Sequence, residues 1–325
     1  TVVIDYSYSE RDTFEGALDN GITLIWPYHC GNLFPCKSDP ADGLSFELEL
    51  EGVATDATAV YPETIPADAP SYMLAWAIGG YRYLLLGTTD AGTEVGVYYL
   101  PGGESIARAG TDNLEEVFDW LETTLGPYTF GNKVASVAAP WGAGQFGGME
   151  HHPLWHVGTA AMGDEETHAH EAAHGWYGNG IRIACWEDFV LSEGTVSYLT
   201  ARSIEQVVSA QAGEDVWTGY RNRLSGVASE NAWPESCGVI DIIEDGLFSS
   251  APYMKGAFFF KSLAAKIGAD ELDGILASFY QEHVGGAATF QELLDFVAGE
   301  TGYDPTPCAI DWLRGTSVPD SEVCP

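Results

Sequence analysis

His170-Glu171-Ala172-Ala173-His174, followed nineteen residues later by Glu193 in Leu191-Ser192-Glu193-Gly194, is the stretch whose reading decides the fold. On a helix, positions i and i+4 lie one turn apart on the same face, so the imidazoles of His170 and His174 converge on one point. Glu171, next to the first imidazole, is aimed where a water on a bound metal would sit. Glu193 can return from the following helix as a third ligand. Three protein ligands leave a fourth position open, which marks a catalytic zinc rather than a structural one. Two neutral imidazoles and one carboxylate leave the site net positive, enough to acidify a water and polarise a carbonyl. The alternative is two helical histidines that happen to stand four apart; further matches on both sides of the run argue against coincidence.

Working outward, the 325 residues are enough for two domains or for one domain with a sizeable appendage. A hydrophobic content of 46% supports a packed core. No apolar run approaches the roughly 20 residues that span a bilayer. Lys and Arg total 13 against 48 Asp and Glu, a formal charge of −35. That field repels nucleic acid and anionic membrane surfaces, so neither is expected as a partner. It fits solubility, in salt water for instance; a preference for cationic substrates is the alternative. Six cysteines (Cys30, Cys36, Cys185, Cys237, Cys308 and Cys324) include no closely spaced CxxC pair, so disulfides are the better reading. Proximity favours Cys30–Cys36 and Cys308–Cys324, leaving Cys185–Cys237. A secreted, periplasmic or cell-surface location follows, and the absence of an initial Met or a basic-then-apolar leader reads as a processed or trimmed product.

Residues 1 to about 100 look β-rich. Ser45 to Leu50 alternates with period two, and Tyr81–Leu86 and Val95–Leu100 are short apolar or aromatic runs. Pro101-Gly102-Gly103 is the expected domain boundary. Beyond it Leu114, Val117, Phe118, Leu121 and Leu125 fall at helical spacing, with Gly126 as the stop. Lys133–Pro140 reads as a strand, and the Gly-rich segment Gly142–Gly148 leads into Met149-Glu150. Helices are expected from about Glu165 through the HExxH run and over about Glu193–Ala212. Three more are expected, over about Tyr253–Ile267, Ala269–His283 and Thr289–Ala298. The last opens with the capping box Thr289-Phe290-Gln291-Glu292.

The residues His170 to Asn179 (HEAAHGWYGN), then Trp186-Glu187-Asp188, then Leu191-Ser192-Glu193-Gly194, resemble the gluzincin zinc aminopeptidases of the aminopeptidase N and leukotriene hydrolase kind. Their pattern is HExxHxWFGN, W-x-D, then L-N-E-G. Gly147-Gly148-Met149-Glu150-His151 resembles their G-x-M-E-N exopeptidase motif, and Tyr253-Met254-Lys255-Gly256 their Y-x-K-G motif. Leu33-Phe34-Pro35-Cys36-Lys37-Ser38-Asp39-Pro40 is similar to a segment of their amino-terminal β domain. The resemblance implies that His170, His174 and Glu193 hold one Zn2+ per chain and that Glu171 is the general base. It implies that Tyr253, which in isolation would read as a core tyrosine before a helix, supports the oxyanion of the tetrahedral intermediate. Glu150 would bind the substrate's free α-amine, and Gly147, Gly148 and Met149 would form the strip that pairs with its backbone.

The chain departs from that pattern in places. His151 stands where relatives carry Asn, followed by His152; both are expected to be exposed, ordinary histidines, with a pH-sensitive part in the amine site as the alternative. Trp26 aligns where many members carry a Gln or Glu that also touches the amine, so Glu150 would act alone and Trp26 would form pocket wall. His156 and His168 fit no ligand spacing. The chain stops where relatives continue into a large helical domain, which implies an open cleft.

The resulting expectation is an α+β protein. A β-rich amino-terminal domain, a partial saddle-like sheet over residues 1–102, docks on a thermolysin-like catalytic domain over residues 103–325 that is mostly helical from about residue 165. Its expected function is zinc-dependent hydrolysis of the amino-terminal bond of peptides. A zinc endopeptidase with an open cleft and a non-catalytic binding module retaining the fold are the alternatives. The expected partner is a peptide substrate; no oligomer is implied.

Overall fold

The computed structural model describes residues 3–11, 15–25, 29–142, 147–241 and 249–325. Its amino-terminal part is built from short antiparallel ladders. β1 (Gly16–Ala17) pairs with β2 (Thr23–Leu24), β3 (Leu44–Glu47) with β5 (Thr64–Ala69), and β4 (Thr58–Val60) with β6 (Ala77–Gly79). In β3 exposed and half-buried residues alternate, the period that marked this stretch as a strand, although the ladder ends at Glu47.

A five-stranded sheet follows, formed by β7 (Arg82–Thr88), β8 (Glu94–Tyr99), β9 (Lys133–Ala139), β10 (Gly148–Met149) and β11 (His156–Gly158), in the order β10-β11-β9-β8-β7. β7–β8 and β10–β11 are antiparallel, while β9 runs parallel to both its neighbours. From Val134 on, every residue of β9 is buried, as a parallel strand covered on both faces requires. Between β8 and β9 lie α1 (Glu104–Gly110) and α2 (Leu114–Leu125). The apolar residues that marked α2 in the sequence are its buried face. Because β7 and β8 hydrogen-bond into the same sheet as β9, the ladder runs straight across the division expected at residue 102.

The rest is mainly helical. α3 (Glu165–Ala173) carries the HExxH run, with Glu165 and Glu166 in its first turn, where carboxylates oppose the helix dipole. Then come β12 (Arg182–Ile183), α4 (Phe189–Val207) and α5 (Ala210–Val227). The single helix expected over about Glu193–Ala212 is thus two helices. Ser209, in an extended conformation, accepts a hydrogen bond from Ala212 N and starts α5 as its N-cap. α6 (Ala251–Ile267), α7 (Ala269–His283), β13 (Ala287–Ala288), α8 (Phe290–Thr301) and α9 (Thr306–Leu313) complete the chain. Both arms of the Thr289/Glu292 capping box are present at the start of α8.

α4 is buried from Phe189 to Ile204 and packs along α6. Two glycines set their separation: a Cβ on Gly256 of α6 would stand 2.5 Å from the Cα of Gly194 on α4. Lys255 of α6 is 1% exposed and donates from Nζ to the carbonyls of Glu230 (2.6 Å), Gly315 (2.7 Å) and Ala228 (3.4 Å). A buried ammonium is tolerated only with such acceptors. The amino-terminal part is pinned by Arg182, which donates to the carbonyls of Ala41, Asp68 and Gly285. The three expected disulfides, Cys30–Cys36, Cys185–Cys237 and Cys308–Cys324, are all formed. Among the described residues no helix is long and apolar enough to cross a membrane.

Candidate metal centre

α3 and α4 cross so that His170, His174 and Glu193 meet. Glu193 Oε2 lies 3.2 Å from His170 Nε2 and 3.4 Å from His174 Nε2, and the two nitrogens are 3.3 Å apart. Zinc bonds of about 2.0–2.1 Å in a tetrahedron separate neighbouring donors by about 3.3 Å, so this near-equilateral triangle is one face of such a tetrahedron. The donor set of two imidazoles and one carboxylate is that of catalytic zinc. His174 Nδ1 stands 3.0 Å from the carbonyl of Tyr177. A carbonyl only accepts, so Nδ1 carries a proton, and Nε2 is the nitrogen turned toward the other two donors. The turn after α3 closes tightly on this ring: Gly178 has φ +102°, and a Cβ there would stand 2.7 Å from His174 Nδ1.

The site holds more negative charge than its imidazoles cancel. Glu150, Glu171 and Glu193 are all buried, and one oxygen each of Glu150 and Glu171 lies with a His174 nitrogen inside 4.8 Å. Burial alone would lower the His174 pKa, but the carboxylates of Glu193 and Glu150 outweigh it and raise the imidazole to about 10. Burial, reinforced by Glu150 and Glu193 against the pull of His174, holds Glu171 well above the usual carboxylate range. Such a cluster calls for a bound cation, and the residues present fit zinc.

Around the triangle the other candidates fall into place. Gly148 of β10 faces Glu171: a Cβ on it would stand 2.4 Å from Glu171 Oε1, so only glycine lets the carboxylate lie against the strand. Glu150, one residue beyond β10, is fixed from two directions. The Tyr72 hydroxyl lies 2.9 Å from its Oε1 and 3.1 Å from Asn179 Oδ1, and Asn179 Nδ2 donates to its backbone carbonyl at 2.6 Å. Tyr253, near the start of α6, stacks on His170 with ring centroids 6.0 Å apart. Burial, then the carboxylates of Glu193, Glu150 and Glu171, keep its phenol well above the usual range, so it remains a donor. These groups, with Gly147 and Met149, line a cleft of about 260 Å³.

Two histidine expectations are corrected. His151 and His152 are not exposed: both are fully buried. The His152 ring spans Tyr128 Oη (2.8 Å) and the backbone carbonyl of Glu171 (2.7 Å), a brace for α3, and burial lowers its pKa to about 3. His156 and His168 are core histidines, lowered by burial to about 4. Trp26 lies outside the described residues. Sequence reasoning missed Tyr72, 78 positions from its partner Glu150, and the cleft residues Phe189, Glu166, Tyr220 and Arg223. Phe189 and Glu166 had a local signal, since they precede Glu193 and His170 by one helical turn each.

Comparison with known proteins gives a consistent result. The family described as the peptidase family M1 domain matches residues 115–312. Aminopeptidase M1-B of Oryza sativa subsp. japonica is 27% identical over 347 aligned positions, covering 96% of this chain and 39% of that protein. Leucine aminopeptidase 2 of Chaetomium globosum is 25% identical, covering 78% of this chain and 45% of its own length. The chain therefore spans less than half the length of either relative. Among solved structures, a mutant M1 zinc metallopeptidase from Deinococcus radiodurans bound to a Tyr-Ser-Ala substrate superposes with a TM-score of 0.75 at 19% identity, covering 96% of this chain and 74% of that one. Native yeast LTA4 hydrolase superposes with a TM-score of 0.68 at 18% identity, covering 90% and 50%. These likenesses establish the fold: an amino-terminal β part on a zinc-peptidase core.

Proposed function

The chain belongs to peptidase family M1, and from that premise we propose that it is a zinc-dependent aminopeptidase that removes the first residue of peptides. The observation that carries this reading is the place of Glu150, a buried carboxylate held by Tyr72 within 4.8 Å of the Glu171 and His174 donor atoms. A fixed carboxylate at that distance suits a substrate ammonium, and a peptide's free amine is the cation available there. His170, His174 and Glu193 would hold one zinc ion per chain. A second cluster, at Cys185, Asp188 and Cys237, has its sulfurs committed to a disulfide.

Bound there, zinc supplies a Lewis acid that polarises the scissile carbonyl and makes an adjacent water more acidic. The remaining work falls to the chain's own side chains. Glu171, whose burial raises its proton affinity above that of an ordinary carboxylate, accepts a proton from the attacking water and returns it to the departing amine. Tyr253, kept protonated, donates toward the oxygen on which negative charge develops. Gly147 and Gly148 leave the β10 backbone bare for main-chain pairing with an extended substrate. The β-rich part that supplies Tyr72 is best divided from the catalytic part near Gly80, before the five-stranded sheet begins. The three disulfides support an oxidising, extracytoplasmic compartment.

The test is kinetic. An aminoacyl-arylamide should turn over, the same peptide with an acetylated amino terminus should not, and Glu171→Gln should bind zinc while losing at least about 10³-fold in kcat. Equal cleavage of the acetylated peptide would replace the reading with an endopeptidase.

A further inference from the structure

The cleft has a polarity beyond its amine end. Its lining carries the carboxylates of Glu150, Glu166, Glu171 and Glu193, and among the described residues its only lysine or arginine is Arg223 of α5. In a chain with 13 basic residues, a guanidinium facing four carboxylates stands out. Arg223 is also held in place. Nη2 donates to Glu166 on α3, and the guanidinium carbon lies 4.8 Å from the ring centroid of Tyr220, itself 1% exposed. An arginine presents five N–H donors in a planar fork, so one bond to Glu166 leaves Nε and Nη1 to meet a second carboxylate.

The direction of the site follows from β10. A Cβ on Gly148 would meet Glu171, while one on Gly147 would come nearest Thr167, at 3.5 Å. A peptide laid along β10 with its ammonium at Glu150 therefore passes the base and continues toward Thr167, on the leaving-group side. Glu166, the partner of Arg223, lies beside Thr167 and one helical turn, about 6 Å, before His170. An extended peptide advances roughly 3.4 Å per residue, so the group that reaches Arg223 belongs to the first or second residue after the cut bond.

We infer that Arg223 receives the α-carboxylate of short substrates, so that the cleft, gripping an ammonium at Glu150 and a carboxylate at Arg223, takes dipeptides and tripeptides. This rests on the aminopeptidase reading and adds a substrate class to it. The glutamates repel a terminal carboxylate, and among the described lining residues Arg223 alone offers it a guanidinium or ammonium charge, so Arg223 decides whether a short peptide acid is accepted.

The experiment compares Ala-Ala-Ala as the free acid with its carboxy-terminal amide, with an alanyl-arylamide as a substrate that lacks a carboxylate. The acid should exceed the amide in kcat/KM by about tenfold, mostly through KM, as expected for one partly solvated charge-assisted contact. In Arg223→Gln that ratio should fall to near one. In Glu166→Gln, which removes the charge opposite the guanidinium, KM for the acid should fall below that of the amide by a wider margin still. An acid-to-amide ratio near one in the wild type, or an Arg223→Gln variant that keeps the tenfold ratio, overturns the inference. If none of the three substrates is cleaved, it is the aminopeptidase reading itself that fails.

Discussion

Replacing Gly256 with Ala tests whether the contact between α4 and α6 positions the chemistry. The new methyl would stand 2.5 Å from Gly194 Cα and 2.8 Å from Val190 Cγ2. Carbon atoms rest about 3.5–4.0 Å apart, and the first obstacle is backbone, so the two helices must part by about 1 Å. Overpacking of this kind costs about 1–3 kcal/mol, and the better helix propensity of Ala returns about 0.5–1 of that. The net loss, about 1–2 kcal/mol, should appear as a fall of a few degrees in Tm. The functional effect should be larger. Tyr253 stands three residues before Gly256, and Glu193 is the neighbour of Gly194, so parting the helices draws the phenol away from the three ligands. A misplacement of about 1 Å can reduce a rate about 10²-fold. The assay is steady-state hydrolysis of an aminoacyl-arylamide with zinc content measured alongside. kcat should drop about 30- to 100-fold with KM nearly constant, because Glu150 lies next to β10 and on neither helix. Zinc should stay near one per chain, since α6 provides none of the ligands. Gly274→Ala in α7, where a Cβ would meet nothing within 4 Å, is the control and should only stabilise. A Gly256→Ala enzyme with kcat within about threefold of wild type and an unchanged Tm would refute the reasoning.

Two further outcomes follow from the core and the amine site. Tyr72→Phe removes the hydroxyl 2.9 Å from Glu150 Oε1, and KM for substrates with a free amine should rise about tenfold with kcat within about threefold; an unchanged KM would show that Glu150 needs no such support. His152 and His156 have pKa values lowered by burial to about 3 and about 4, against an unfolded value near 6.5. The unfolded chain therefore binds more protons below pH 6.5, so stability is present above that pH and lost as pH falls toward 4. The loss should be about 2 kcal/mol per histidine by pH 5, partly offset by weaker repulsion among protonating carboxylates, and calorimetry at pH 7 and pH 5 should find the lower Tm at pH 5. A Tm that holds or rises on acidification would contradict it.

What the sequence disclosed is what short-range periodicity encodes. The i, i+4 histidines, the capping box at Thr289 and the α2 stripe each occupy a single element, and each stands as expected. Elements that depend on distant partners were not legible. Nothing local to Tyr72 signals that its hydroxyl meets a carboxylate 78 positions on. The break between α4 and α5 rests on the side chain of Ser209 within an otherwise continuous helical pattern. The burial of His152 is decided by Tyr128 and the α3 backbone, and His151 packs beside Tyr72 and His156, so their polarity misled. The boundary expected at residue 102 rests on Gly and Pro, which mark a turn equally well inside a sheet and between domains.

The ammonium of Lys255 joins α6 to residues 228–230 and to residue 315. During synthesis on the ribosome, the helix that bears Tyr253 emerges some sixty residues before Gly315, the last of those acceptors. Until then, the ammonium has only the carbonyls of Ala228 and Glu230 and lacks the third acceptor that seats the helix. A chain cut before residue 315 should therefore bring His170, His174 and Glu193 together while leaving the helix that carries Tyr253 less firmly seated beside them.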